Sequence, residues 1–225
     1  MKLITTLFIV IFMTSIIQAQ DWANLNRFKK DNEKLEAPKP NKNRIIFFGD
    51  SITEGWSKFD SSFFRENNYI NRGIGGQTTP QMLIRFKQDV VNLNPKVVVF
   101  LAGTNDIAGN TGPSTLEMIM DNIISITHIA KANNIGVVLS SVLPVFDYPW
   151  KQGLNPSEKI ETLNKMIKNY ADEKNIIYLD YYSAMVNEQK GLDSIYTRDG
   201  VHPNKKGYDV MAPLAEEAIN NALNQ

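Results

Sequence analysis

The chain contains no cysteine, only two histidines, and no excess of either charge, with 24 basic and 24 acidic residues. Lack of cysteine excludes a thiol nucleophile, a thiolate metal site and disulfide staples, and it speaks against a lipid anchor on an amino-terminal cysteine. Balanced charge, spread along the sequence, leaves no basic face for nucleic acid, and no such partner is expected. A metal-dependent phosphoesterase would have to draw its ligands from Asp50, Asn105, Asp106 and His202. Two-metal sites use several histidines and carboxylates, so no metal is expected. A composition that is 43% hydrophobic excludes both a disordered chain and a multi-span membrane protein.

Long apolar runs are also missing after residue 17. Lys2, the mostly apolar stretch Leu3 to Ile17 and the closing Gln18-Ala19 have the layout of a secretory signal peptide. The stretch is shorter than the roughly 20 residues that span a bilayer comfortably. Residues 1–19 are therefore expected to be removed, giving an exported protein, periplasmic or secreted, with no stable membrane insertion after cleavage. Residues 20–43 read as a lead-in: a short helix, then an extended segment through Ala37-Pro38-Lys39-Pro40. Residues 44–225 are expected to form one domain, large enough for a single core.

Within that domain, short apolar runs alternate with helical patterns. Ile45-Ile46-Phe47-Phe48, Val97-Val98-Val99-Phe100-Leu101, Gly136-Val137-Val138-Leu139 and Ile176-Ile177-Tyr178-Leu179 lack polar alternation, which suits strands buried on both faces. Tyr69-Ile70-Asn71 is a weaker fifth. Helices are expected over Met82 to Val91, Ser114 to Asn133, Pro156 to Tyr170 and Lys205 to Leu223. Such alternation predicts a three-layer α/β/α sandwich around a five-stranded parallel sheet, in the flavodoxin-like order 2-1-3-4-5. Ligands of such sheets bind beyond the carboxyl ends of the strands. Three glycine-bearing loops follow those ends, at Gly49-Asp50-Ser51, Asn71-Arg72-Gly73-Ile74-Gly75-Gly76 and Gly103-Thr104-Asn105-Asp106.

Acyl transfer needs a nucleophile, a base, a group that orients the base, and donors aimed at the developing oxyanion. Ser51 follows a strand directly, where a tight turn would lift its hydroxyl above the sheet; it reads equally as a helix cap. Of the two histidines, His128 lies among apolar residues mid-helix and reads as a partly buried packing residue. His202 lies in Asp199-Gly200-Val201-His202-Pro203, where the following proline disfavours helix and frees the ring. Asp199, three residues earlier, can share one turn with the imidazole and fix its tautomer. The Ser51 N–H, the Gly76 N–H and the Asn105 amide are candidate oxyanion donors. Each also has a plain alternative as a turn or bracing group.

Together these segments resemble the SGNH (GDSL-type) hydrolase family, defined by serine, glycine, asparagine and histidine in separate blocks. Gly49-Asp50-Ser51-Ile52 resembles the first block, with isoleucine where the family name has leucine. The loop ending at Gly76, the segment Gly103-Thr104-Asn105-Asp106 and the Asp199 to Pro203 segment resemble the others, in the family's order. The resemblance implies a serine esterase working through an acyl-enzyme without a cofactor, with Ser51, His202 and Asp199 as the triad. It also implies an oxyanion hole of Ser51, Gly76 and Asn105. The subgroup is similar to platelet-activating-factor acetylhydrolase-like enzymes and to carbohydrate acetylesterases. This implies a small-molecule or glycan ester as substrate, and the lack of a long apolar stretch that could form a lid over a lipid tail favours a short acyl group, acetyl first. A lysophospholipase or thioesterase-type acylhydrolase and a non-catalytic carbohydrate-binding relative are the alternatives.

Substrate contacts are expected from the aromatic stretch Pro144 to Trp150, through Phe146, Tyr148 and Trp150, and from Trp56 and Val201 near the nucleophile and base. Packing against the core is the competing reading for the stretch and for Trp56.

Overall fold

The structure, a computed structural model, describes residues 21–39 and 42–225. The expected signal peptide, residues 1–19, lies outside the described residues. A short helix, α1 (Lys29–Lys34), precedes β1 (Ile45–Gly49), α2 (Ser51–Phe59), α3 (Ser61–Asn67), β2 (Tyr69–Gly73) and α4 (Thr79–Asp89). The chain continues through β3 (Val97–Leu101), α5 (Thr104–Ala108), α6 (Leu116–Ala132), β4 (Gly136–Ser140), α7 (Ser157–Glu173), β5 (Ile177–Leu179), α8 (Tyr181–Met185) and α9 (Lys205–Leu223). The five strands form one sheet in the order β2-β1-β3-β4-β5, every pair parallel. The expected sandwich and strand order are both present, and the weak fifth strand is the edge strand β2.

Side chains alternate across a strand with period two, and here that divides the core into two layers. Ile46, Phe48, Val98 and Phe100 pack with Met82 and Phe86 of α4, Ile119 and Ile123 of α6 and Ile160 and Leu163 of α7. Ile45, Phe47, Val97 and Val99 face the other way, against Ile52 and Trp56 of α2, Phe63 and Phe64 of α3 and Met211 and Ala215 of α9.

Helix starts are set by polar side chains. Asp50 accepts the Ile52 N–H at the start of α2, Asp60 the Phe63 N–H at α3, Thr115 the Met118 N–H at α6 and Asn204 the Gly207 N–H at α9. Asparagine serves the opposite ends. Asn68, Asn94, Asn134 and Asn175 take φ of 56°, 51°, 57° and 49° just before β2, β3, β4 and β5. Asparagine tolerates this left-handed conformation better than most residues, so each return to the sheet is turned by the same side chain.

His128 departs from expectation. The buried stripe of α6 runs through Ile119, Ile123, Ile126 and Ala130, and His128 falls on the exposed face.

Candidate active site

The carboxyl edge of the sheet gathers the loops. Ser51 is the first residue of α2, directly after β1, and its half-buried hydroxyl lies 3.0 Å from His202 Nε2. The other ring nitrogen, Nδ1, is 2.6 Å from Asp199 Oδ2, and Asp199 Oδ1 accepts the backbone N–H groups of Val201 and His202. Partial burial works against charge on Asp199. The His202 N–H, the His202 ring and the Val201 N–H outweigh it and hold the carboxyl below its ordinary range. An ionised Asp199 takes the Nδ1–H, which leaves the Nε2 lone pair facing the Ser51 hydroxyl.

Helix α2 sits hard against the ends of β1 and β2, and glycine makes that possible. A Cβ at Gly73 would stand 2.1 Å from the Glu54 nitrogen. The next loop then passes the nucleophile: a Cβ at Gly75 would lie 3.8 Å from Ser51 Cβ. Gly76 adopts φ of 75°, a left-handed conformation open to glycine at no steric cost. Among the described residues, the Ser51 and Gly76 N–H groups have no protein acceptor. Asn105, 3% exposed, donates from Nδ2 to the Gln77 carbonyl at 3.0 Å and toward Asp50 at 3.4 Å. Its oxygen accepts from Asn110 Nδ2, which also donates to the Gly76 carbonyl. The serine, glycine and asparagine of three separate loops thus share one rim with the histidine and its carboxylate.

The predicted substrate contacts divide. Trp150 is 46% exposed, and its ring centroid lies 6.0 Å from that of His202. Phe146 is exposed beside Gly191. Tyr148 is corrected: it is fully buried beneath Trp150, its hydroxyl donating to the Thr104 carbonyl at 2.8 Å, so it supports the rim without lining it. Trp56 is corrected as well. It is buried in the core, stacked between Phe63 and Tyr208, and it lines a small internal cavity together with Ser140 and Tyr181. The Val201 side chain likewise enters the core, which removes it from the substrate surface.

Sequence reasoning missed Arg85, Gln77 and Asn110. Arg85, fully buried, donates to the Gly49 and Arg72 carbonyls and to Gln77 Oε1, pairs with Asp89 and lies over the Phe48 ring. An arginine followed by an aspartate four residues on, on the face of α4 that carries Met82 and Phe86, was the available signal.

Two carboxyls beneath the rim are strongly perturbed. Burial raises Asp50 to about 7, against the lowering effect of the Ile52 N–H, and raises Asp106 to about 6, against its bonds from Thr79. An acid whose pKa is higher in the folded state binds its proton more tightly there. The stability this gives Asp50 is complete below about pH 4 and is lost as pH rises through about 7. The melting-temperature difference between Asp50→Asn and the parent should therefore move in the variant's favour between about pH 4 and about pH 8. A difference that stays constant across that range would show that Asp50 does not titrate there.

A parallel 2-1-3-4-5 sheet whose carboxyl edge joins a serine, a glycine loop, an asparagine and a histidine defines the SGNH class of hydrolases. The chain belongs to the GDSL-like lipase/acylhydrolase family, whose model matches residues 47–210. It is similar to a GDSL-like lipase from Bacteroides thetaiotaomicron, 45% identical with a TM-score of 0.87, over 89% of this chain and 98% of that one. A Bacteroides fragilis protein provisionally described as an acylhydrolase is 47% identical with a TM-score of 0.89, over 91% and 99%. The platelet-activating factor acetylhydrolase IB subunit beta homolog of Drosophila melanogaster is 30% identical over 131 residues, 55% of each chain. The matched stretch covers about half the length of the curated relatives, 49% of a Bacillus subtilis lipoprotein and 55% of the fly protein. The match places residues 47–210 among GDSL-like lipase/acylhydrolase domains. Among the described residues, no helix is long and apolar enough to cross a membrane.

Proposed function

We propose that the protein hydrolyses short-acyl carboxylic esters, acetyl esters foremost, through Ser51, His202 and Asp199. The observation that carries this reading is the alignment of Oγ, imidazole and carboxylate at 3.0 and 2.6 Å. His202 Nε2 takes the Ser51 proton as Oγ attacks the ester carbonyl. The oxyanion is received by the Ser51 and Gly76 N–H groups and the Asn105 amide. His202 then protonates the leaving alcohol and, once the acyl-enzyme has formed, activates the water that releases the acid. Asp199 holds the ring and stabilises the imidazolium. Domain 44–225 does this chemistry, and the leader at residues 1–19 delivers it to the periplasm or the exterior.

A glycan or small lipid-like alcohol is the proposed leaving group. Supporting a sugar is the exposed Trp150 face, backed by Tyr148 and set against His202, where an aromatic platform can stack on an apolar ring face.

The test is a series of p-nitrophenyl esters from acetate to palmitate, with and without a chelator, together with acetylated oligosaccharides. Activity should be greatest on acetate, fall with chain length and survive the chelator. Trp150→Ala should raise KM for the acetylated oligosaccharide by roughly fivefold, a stacking loss of about 1 kcal/mol, and leave p-nitrophenyl acetate little changed. Rates that climb toward palmitate would overturn the short-acyl reading, and an unchanged oligosaccharide KM would overturn the stacking role.

A further inference from the structure

Three glutamines on α4 and the loop before it hold the backbone of the amino-terminal segment. Gln77 Nε2 donates to the Ala23 carbonyl at 2.8 Å, Gln81 Nε2 to the Trp22 carbonyl at 2.6 Å and Gln88 Nε2 to the Leu25 carbonyl. The segment is braced locally, since Asp21 accepts the Leu25 and Asn26 N–H groups. Farther along it, Asn32 bonds Asp89 and receives a bond from Arg72. Residues 21–34 thus form a strap across α4.

Of the three glutamines, Gln77 adjoins the rim. It follows Gly76 directly and is 3% exposed. Both ends of its side-chain amide are engaged: the nitrogen with the strap, the oxygen with Arg85 Nε at 2.5 Å. Its backbone carbonyl receives the Asn105 amide at 3.0 Å. Arg85 in turn holds the Gly49 and Arg72 carbonyls, at the ends of the two strands that deliver the Ser51 and Gly76 loops. On the far side of the same loop, Glu54 accepts the Gly75 N–H at 2.9 Å.

We propose that Gln77 is a positioning residue for the oxyanion hole, transmitting the docked strap and Arg85 to Gly76 and Asn105 together. The proposal rests on the assignment of those two groups as oxyanion donors. Gln77 meets neither substrate nor the reacting atoms. It fixes the peptide between one donor and the acceptor that aligns the other. A shift there misaims two donors at once, while the Ser51–His202 pair, held from other elements, stays in place.

Gln77→Met keeps the volume and removes both side-chain bonds, and Gln77→Glu keeps an acceptor for Arg85 but cannot donate to Ala23. For each we would measure kcat and KM on p-nitrophenyl acetate, its pH profile, and the rate at which a p-nitrophenyl phosphonate modifies Ser51. In that reaction an Oγ–P bond forms, p-nitrophenolate leaves and His202 takes the proton, so the same donors are used. All rates are normalised to titrated sites, which removes any loss of folded protein. The expected result is a fall in kcat of about tenfold to a hundredfold, with KM and the pH profile unchanged and phosphonylation slowed in parallel. Gln77→Glu should fall between the parent and Gln77→Met, and it carries the test alone should Gln77→Met not fold. Parent-like kcat per site, a change confined to KM, or an undiminished phosphonylation rate would overturn the proposal. Asn105→Ala is run alongside: full activity in that variant would overturn the oxyanion assignment itself, a failure separate from that of Gln77.

Discussion

Ser51→Ala is expected to lower kcat/KM for p-nitrophenyl acetate by at least about ten-thousandfold while leaving stability within about 0.5 kcal/mol of the parent. Only a hydroxyl is lost. Its partner is His202 at 3.0 Å, and the helix cap belongs to Asp50, so α2 keeps its start. His202→Ala should cost a similar factor, and the double variant should be no slower than the poorer single one, because groups that act as one unit do not add. Asp199→Asn should also cost up to about ten-thousandfold, since an amide in place of the carboxylate permits the wrong imidazole tautomer. Steady-state kinetics at known protein concentration measure all four variants. Activity above one part in a hundred in Ser51→Ala, freed of wild-type contaminant, would remove the serine from the mechanism, and additive losses would show that serine and histidine act separately.

Arg85→Leu should destabilise the fold by about 3–5 kcal/mol, a large share of the roughly 5–15 kcal/mol that holds a domain together. The guanidinium is fully buried and satisfies Asp89, Gln77 and two strand-end carbonyls while covering the Phe48 ring. Leucine fills part of the volume and leaves a buried carboxylate with Asn32 as its main remaining donor. Leaving one charge of such a pair unpaired is what costs most. Arg85→Lys should recover little, because one ammonium cannot reproduce a planar fork reaching several acceptors. Changing Asp89 as well, in Arg85→Leu/Asp89→Leu, should restore part of the loss. Urea unfolding with an unchanged slope is the measurement. A shift below about 1 kcal/mol for Arg85→Leu would mean that water reaches these groups and the network is not what secures the rim.

Strands and loops were legible because their signals are local. Val97 to Leu101 is apolar without interruption and is a central strand, and the glycines of the first two blocks stand where a helix must touch a sheet edge. What escaped was direction. Trp56 is near Ser51 in sequence, but five residues turn a helix by about 140°, which carries the indole into the core. His128 is two residues past the buried Ile126, about 200° around α6, and so it is exposed. Tyr148 sits in an irregular loop with no period to say which side faces inward, and its anchor, Thr104, is 44 residues away. Arg85 and Gln77 reach the backbone carbonyls of Gly49, Arg72 and Ala23, groups that any sequence supplies; only the folded chain says which ones.

The misplaced tryptophan has a consequence of its own. Its indole stacks on Tyr208 at 5.3 Å, and the Tyr208 hydroxyl bonds the Ile52 carbonyl at 2.8 Å. The turn that bears the serine is therefore bolted to the helix that leaves the histidine loop, by a bond between residues 156 apart in the chain. The distance between Ser51 and His202 is thus braced from the inner layer. If Ser51 and His202 react as proposed, exchange of exposed residues such as Trp150 should leave their proton transfer in tune.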